Sequence, residues 1–231
     1  MTNKIIALGD SIIKGVVLNI EQTGKMHYAL SDRTIVDQVA NKMQLEVVNL
    51  GKMGCTIESG ERILDRYLGQ IDGAKYALLC FGGNDSDYNW RAIATNPRGE
   101  HHPKTPIALF EKIYARIIDK VRKAGITPLI MTLPEMDAQR YYEFFTSVFS
   151  DEEKRNVARW LKQGAEAIQA GHELYNDAVK RVAAAADAEL LDISKAFDDK
   201  KKCLCIDGIH PNSYGQKLIS GEAIASSLQH S

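Results

Sequence analysis

Apolar residues in this chain come in blocks rather than in alternation. Five short runs, Lys4–Leu8, Leu45–Leu50, Tyr76–Phe81, Pro128–Leu133 and Glu189–Ile193, lack the in–out rhythm of a half-solvated strand and read as strands buried on both faces. Between most of them lie helix-length stretches with apolar residues every three or four positions. The clearest follows the third run, with Thr105 as N-cap, Pro106 at the first helical position, a stripe of Ile113, Ile117, Ile118 and Val121, and Gly125 as the stop. The same periodicity predicts helices over Thr34–Met43, Glu58–Ile71, Asp151–Ala170, Glu173–Ala186 and Tyr214–Leu228. Alternation of this kind builds parallel sheets from βαβ units. The expected fold class is therefore α/β, a three-layer sandwich with a flavodoxin-like five-stranded parallel sheet in the order 2-1-3-4-5 and helices on both faces.

Two stretches break the rhythm. Residues 86–104 are polar and proline-bearing and hold Trp90, His101 and His102, while residues 134–150 collect Tyr141, Tyr142, Phe144, Phe145 and Phe149. Both read as loop insertions, and long loops in compact domains often carry function. The aromatic stretch suits a lid, a dimer contact or a buried helix equally well. With no repeat or linker, 231 residues suit one domain spanning 1–231.

Composition narrows the partners. Lys+Arg number 29 against Asp+Glu 30, so no net field attracts nucleic acid or an anionic membrane. No apolar run approaches the roughly 20 residues of a membrane span. A strand-like segment starts at Lys4 without a charged lead and cleavage site, so no secretory signal is expected. The four cysteines suit a reducing cytoplasm, and Cys203-Leu204-Cys205 has the wrong spacing for a zinc knuckle. Oligomeric state is not legible.

Candidate chemistry follows from where ligands bind in such sheets, outside the carboxyl ends of the strands. Gly9-Asp10-Ser11 follows the first strand, Gly54 the second, Gly82-Gly83-Asn84-Asp85 the third, and Asp207-Gly208-Ile209-His210 the fifth. Each has an ordinary explanation alone. Ser11 could cap a helix, Gly54 could serve a turn, Asn84 could bond its own loop, and Asp207 with His210 could be a capped turn before Pro211. Together they supply a nucleophile (Ser11), a base (His210) and a carboxylate to orient the base (Asp207). The N–H groups of Ser11 and Gly54 and the Asn84 amide supply donors for an oxyanion. Asp87, Tyr88 and Trp90 follow directly on that block and are expected at the mouth of the site. Trp90 there could stack on a sugar face or wall off an acyl chain, and packs in a core or lid equally well. No Gly-x-Ser-x-Gly elbow, Walker loop or full dinucleotide fingerprint occurs, and His172-Glu173 lacks the second histidine of a zinc-protease helix.

These blocks resemble those of the SGNH (GDSL-type) hydrolases. Gly9-Asp10-Ser11-Ile12 is similar to the first block, with Ile for the usual Leu, and Asn49-x-Gly51-x-x-Gly54 to the second. Gly82-Gly83-Asn84-Asp85 and Asp207-x-x-His210-Pro211 match the third and fifth. The resemblance spans nearly the whole chain. It implies Ser11 as nucleophile, Gly54 and Asn84 completing the oxyanion hole, and His210 with Asp207 completing the triad, without metal or organic cofactor. The family acts on acyl lipids, thioesters and acetylated sugars, among others. The expectation is a serine esterase acting on small-molecule carboxylic esters through an acyl-enzyme. The polar loop after the third block and the lack of an apolar tunnel signature favour short acyl groups, acetylated carbohydrates among them. Two alternatives keep the same residues: an acyltransferase using the same triad, and a catalytically silent binding protein on the same fold.

Overall fold

Ile5, Ile6, Ala7 and Leu8 are at most 1% exposed, and the strand they form is covered on both faces. The computed structural model describes residues 3–228, so Met1, Thr2 and 229–231 of the expected domain lie outside the described residues. In chain order the first elements are β1 (Lys4–Gly9), α1 (Ser11–Lys14), β2 (Val16–Ile20), β3 (Met26–Leu30), α2 (Ile35–Met43), β4 (Glu46–Asn49), α3 (Ile57–Tyr67) and β5 (Ala74–Cys80). Then come α4 (Trp90–Thr95), α5 (Ile107–Lys123), β6 (Thr127–Met131), α6 (Ala138–Thr146), α7 (Asp151–Leu161), α8 (Ala165–Ala185), β7 (Glu189–Leu191), α9 (Lys200–Cys203) and α10 (Ser213–Leu228).

The five-stranded sheet runs β4-β1-β5-β6-β7, all parallel, which is the expected 2-1-3-4-5 order. Its register aligns Ala7 with Asn49, Gly9 with Cys80 and Met131 with Leu191, so the carboxyl ends of the strands share one rim. Helices α2 and α10 pack together on one face, and α3, α5 and α8 cover the other. The buried face of α5 carries the expected stripe of Ile113, Ile117, Ile118 and Val121, with Phe110 and Tyr114 beside it. No helix among the described residues is long and apolar enough to cross a membrane.

Several boundaries differ from expectation for local reasons. The cap of α5 is Pro106, one residue before the helix begins, because the Thr105 hydroxyl is donated to Asp85 Oδ1 at 2.6 Å instead. The segment expected as one helix over Glu58–Ile71 is α3 followed by a 3-10 turn at Leu68–Gln70. Helices were expected over Asp151–Ala170 and Glu173–Ala186, with residues 171–172 between them. The chain turns earlier, with Lys162 (φ 56°) and Gly164 (φ 63°) both left-handed, and α8 runs unbroken through Gly171. Glycine costs about 1 kcal/mol in a helix interior, and burial of Tyr175, Ala178, Val179 and Val182 on the same helix outweighs it. The aromatic insertion contains α6, whose Tyr141 and Phe145 join Trp90, Phe149, Val157 and Trp160 in a second apolar cluster, while residues 86–104 contain α4.

One element went unanticipated. Strands β2 and β3 pair antiparallel into a two-stranded ribbon, with Leu18 opposite Tyr28 and Gly24 at φ 81° in its turn. The ribbon is tied to the rim where the Leu18 N–H donates to Cys205 Sγ at 3.4 Å.

Candidate active site

Four separate loops at the rim deliver the expected residues to one place. Asp10 caps α1 by accepting from the Ile12 N–H at 2.8 Å, which puts Ser11 in the first helical turn. N–H groups of that turn have no intrahelical acceptor. After β4, the Cys55 N–H donates to the Lys52 carbonyl at 3.0 Å. Gly54 within that turn has φ 70°, and an added Cβ would meet nothing within 4 Å. Left-handed backbone and an open approach to the N–H both account for glycine at this point. After β5, the Ser86 N–H donates to the Gly82 carbonyl at 2.9 Å and curls Asn84 outward.

The last loop is closed by the Cys205 N–H donating to the His210 carbonyl at 2.8 Å, with Gly208 at φ 74° inside it. Asp207 Oδ1 accepts from the N–H groups of Ile209 (3.2 Å) and His210 (3.1 Å). Its Oδ2 accepts from His210 Nδ1 at 2.7 Å. With that proton on Nδ1, Nε2 is the acceptor for the Ser11 hydroxyl at 2.9 Å. Ser11, Asp207 and His210 are all buried. Burial pushes the Asp207 carboxyl up, but the bonds from His210 and the two N–H groups outweigh it and hold the carboxyl below its ordinary value.

Ser11, Gly54, Asn84 and His210 line one cavity of about 310 Å³, with Asp207 behind His210. Asn84 Nδ2 donates to Asp10 Oδ2 at 2.9 Å, which fixes the amide and leaves its second N–H for a ligand. Asp10 is 5% exposed, and burial raises its pKa against the bonds from Ile12 and Asn84. Asp85, next to Asn84, is fully buried; its Oδ1 accepts from the Ile57 N–H (2.9 Å) at the start of α3 and from Thr105 Oγ1. Its Oδ2 has no hydrogen-bond partner among the described residues, and burial lifts its pKa to about 6.

Asp87, Tyr88 and Trp90 also line the cavity. The Asp87 carboxylate is occupied by the protein itself. Its Oδ1 accepts from Trp90 Nε1 (2.8 Å) and the Tyr141 hydroxyl (2.9 Å), and its Oδ2 from Lys104 Nζ (2.8 Å). It holds two aromatic rings in the wall rather than facing the ligand. Trp90 stacks on Phe145 at 4.6 Å between centroids, and Tyr88 packs against Trp90 and Trp160.

Sequence reasoning missed three groups. Tyr28 on β3 lies with its ring 5.2 Å from that of His210 and its hydroxyl 3.5 Å from Asp207 Oδ2, and burial with the Asp207 charge raises its pKa to about 12. The signal was present: two strand-like runs separated by Glu21–Lys25 with a glycine. Tyr141 and the α8 residues Ile168, Gly171 and His172 also line the cavity. Nothing in a helical pattern separates a cavity-facing turn from a core-facing one.

Comparison with known proteins follows the same lines. The profile of the GDSL-like lipase/acylhydrolase family matches residues 7–218. A putative SGNH hydrolase from Slackia heliotrinireducens aligns with TM-score 0.61 at 14% identity, over 98% of this chain and 100% of that one. The psychrotrophic esterase EstA from Pseudoalteromonas sp. gives TM-score 0.61 at 17% identity, over 99% of this chain and 98% of that one. The acetyl xylan esterase AlAXEase gives 0.60 at 17% identity, over 96% and 98%. At such identities the likeness is one of fold. No curated protein sequence matches the chain.

Proposed function

The chain belongs to the GDSL-like lipase/acylhydrolase family, and on that footing we propose that it is a serine esterase using Ser11, His210 and Asp207. One observation carries the reading: the unbroken hydrogen-bond chain from the Ser11 hydroxyl through His210 to Asp207, open to a cavity that Gly54 and Asn84 also line. As the Ser11 oxygen attacks the ester carbonyl, its proton passes to His210 Nε2. Asp207 keeps the ring in the right tautomer and stabilises the imidazolium. The N–H groups of Ser11 and Gly54 and the Asn84 amide receive the oxyanion. The alkoxide then leaves with the proton from His210, and the acyl group remains on Ser11. His210 next takes a proton from water as the water oxygen attacks the acyl carbonyl, then returns it to the Ser11 oxygen as the acyl–Ser11 bond breaks and the acid leaves.

We also infer the substrate class from the wall of the cavity. A long acyl chain asks for an unbroken apolar tunnel, whereas Ser86, Glu135 and His172 interrupt this one beside the aromatic faces of Tyr88, Trp90 and Tyr141. A small acyl group on a hydroxylated ring suits that mixture. Buried, unpaired Cys55, Cys80, Cys203 and Cys205 suit a reducing compartment.

The test is covalent. A fluorophosphonate probe is expected to label Ser11, and Ser11→Ala to lose labelling and at least about 10³-fold in kcat/KM on p-nitrophenyl acetate while melting within a few degrees of the parent. Undiminished turnover in that variant overturns the assignment.

A further inference from the structure

Ala167, Ile168, Gly171 and His172 of α8 line the same cavity as Ser11. Two features of this turn make no packing or hydrogen-bonding contribution among the described residues. Gly171 sits inside a 21-residue helix, where glycine is a poor choice by about 1 kcal/mol against alanine. Gly60 in α3 is required by crowding, since a Cβ there would lie 2.3 Å from the Phe81 ring, whereas Gly221 in α10 is as open as Gly171 but does not line the cavity. At Gly171 an added Cβ meets nothing within 4 Å, so the missing side chain enlarges the cavity and relieves no contact.

His172 is the second feature. Its ring is half-buried in the cavity wall, and neither nitrogen is hydrogen-bonded to another of the described residues. Burial pushes its pKa down to about 4; the Glu173 charge opposes the shift and the Lys200 charge assists it. At neutral pH the imidazole therefore offers one donor and one acceptor. That pairing matches a hydroxyl, which both gives and takes a proton, and gives no charge to a carboxylate or phosphate. Leu133, Met136 and Ile168 give the same cavity apolar wall, and Glu135 adds a carboxylate to it.

We propose that Gly171 and His172 form a distal subsite that seats an uncharged, hydroxyl-bearing ring on the alcohol side of the ester, Gly171 by leaving room and His172 by bonding a ring hydroxyl. The subsite rests on the esterase reading above, but it concerns recognition alone. It deepens that reading by saying which residues distinguish a sugar-like alcohol from an apolar one.

Three acetates separate the two claims: ethyl acetate, cyclohexyl acetate and a monoacetylated methyl pentopyranoside. The parent protein is expected to favour the pyranoside over the cyclohexyl ester by about 10-fold in kcat/KM. His172→Phe keeps a ring of similar size and is expected to cut that preference about 5- to 10-fold through KM, the effect of one neutral hydrogen bond. His172→Gln, which keeps a donor and an acceptor, is expected to retain most of it. Gly171→Leu is expected to slow both ring esters about 10-fold, while Gly171→Ala melts higher than the parent. Ethyl acetate, which carries no ring for the subsite to seat, is expected to stay within about twofold throughout, which also reports that each variant is folded. An unchanged preference in His172→Phe, or ring esters unaffected by Gly171→Leu, overturns the subsite. Failure of the parent to turn over any of the three overturns the esterase reading instead.

Discussion

The two walls of the cleft are built on opposite terms. On the Ser11 side the polar side chains are tied to one another: Ser11 to His210, His210 to Asp207, and Asn84 to Asp10. On the α8 side His172 has no partner among the described residues and Gly171 has no side chain. One short segment serves both, since Asn84 faces the first wall and Asp87 braces Trp90 and Tyr141 in the second, with buried Asp85 anchoring the loop between them. The difference has a physical sense. Groups that act on a transition state gain by being held in advance. Groups that select a ligand must keep hydrogen-bonding capacity in reserve for it.

The sharpest way to break that division is at Asn84. Asn84→Ala is expected to lower kcat about 10²- to 10³-fold on every acetate alike, with KM within about threefold. Initial rates on ethyl acetate and the pentopyranoside check it, and a loss confined to the larger ester would merge the two walls.

The anchor between them gives the next effect. With its pKa lifted to about 6, Asp85 binds a proton more tightly in the folded protein than in the unfolded chain. The stability it contributes is therefore complete below its unfolded value near pH 4 and is lost as pH rises through 6. Asp85→Asn has no such titration. Urea unfolding is expected to show the parent losing about 2–3 kcal/mol relative to Asp85→Asn between pH 4 and pH 7. Parallel curves would mean that the carboxylate is charged at no cost.

The smallest effect lies at Asp87. Removing its carboxylate in Asp87→Ala frees Trp90, Tyr141 and Lys104, so KM for the pentopyranoside is expected to rise about fivefold with kcat within twofold. A fall in kcat comparable to that of Asn84→Ala would show that the second wall also takes part in the chemistry.

What could be read beforehand depended on whether a residue's surroundings were set by its neighbours in the chain. Runs such as Tyr76–Phe81 are apolar on both faces only because the strand is covered on both, so the sheet and its order were legible. The candidate site was legible for the same reason: Ser11, Gly54, Asn84 and His210 each follow a strand of that sheet, and the sheet brings them together. Tyr28 was not, because the ribbon carrying it belongs to neither the sheet nor the helical layers. The expected break between Ala170 and Glu173 does not occur. Gly171 has a low helix preference, but the core packing of Tyr175 and Val179 overrides it and the helix runs on through it. Asp87 lies in the cavity wall as expected, but its charge is spent on Trp90, Tyr141 and Lys104, partners that only the fold brings to it.

The bond between Ser11 and His210 closes over 199 positions. A nascent chain made from its amino end presents the hydroxyl almost at once and the imidazole only after β7 has been synthesised and inserted beside β6. In the proposed mechanism the polypeptide is inert toward esters until that docking, however much of its sheet has formed. On that mechanism turnover doubles as a gauge of assembly, and a single proteolytic nick that lets the loop around Asp207 drift is expected to silence it without touching Ser11.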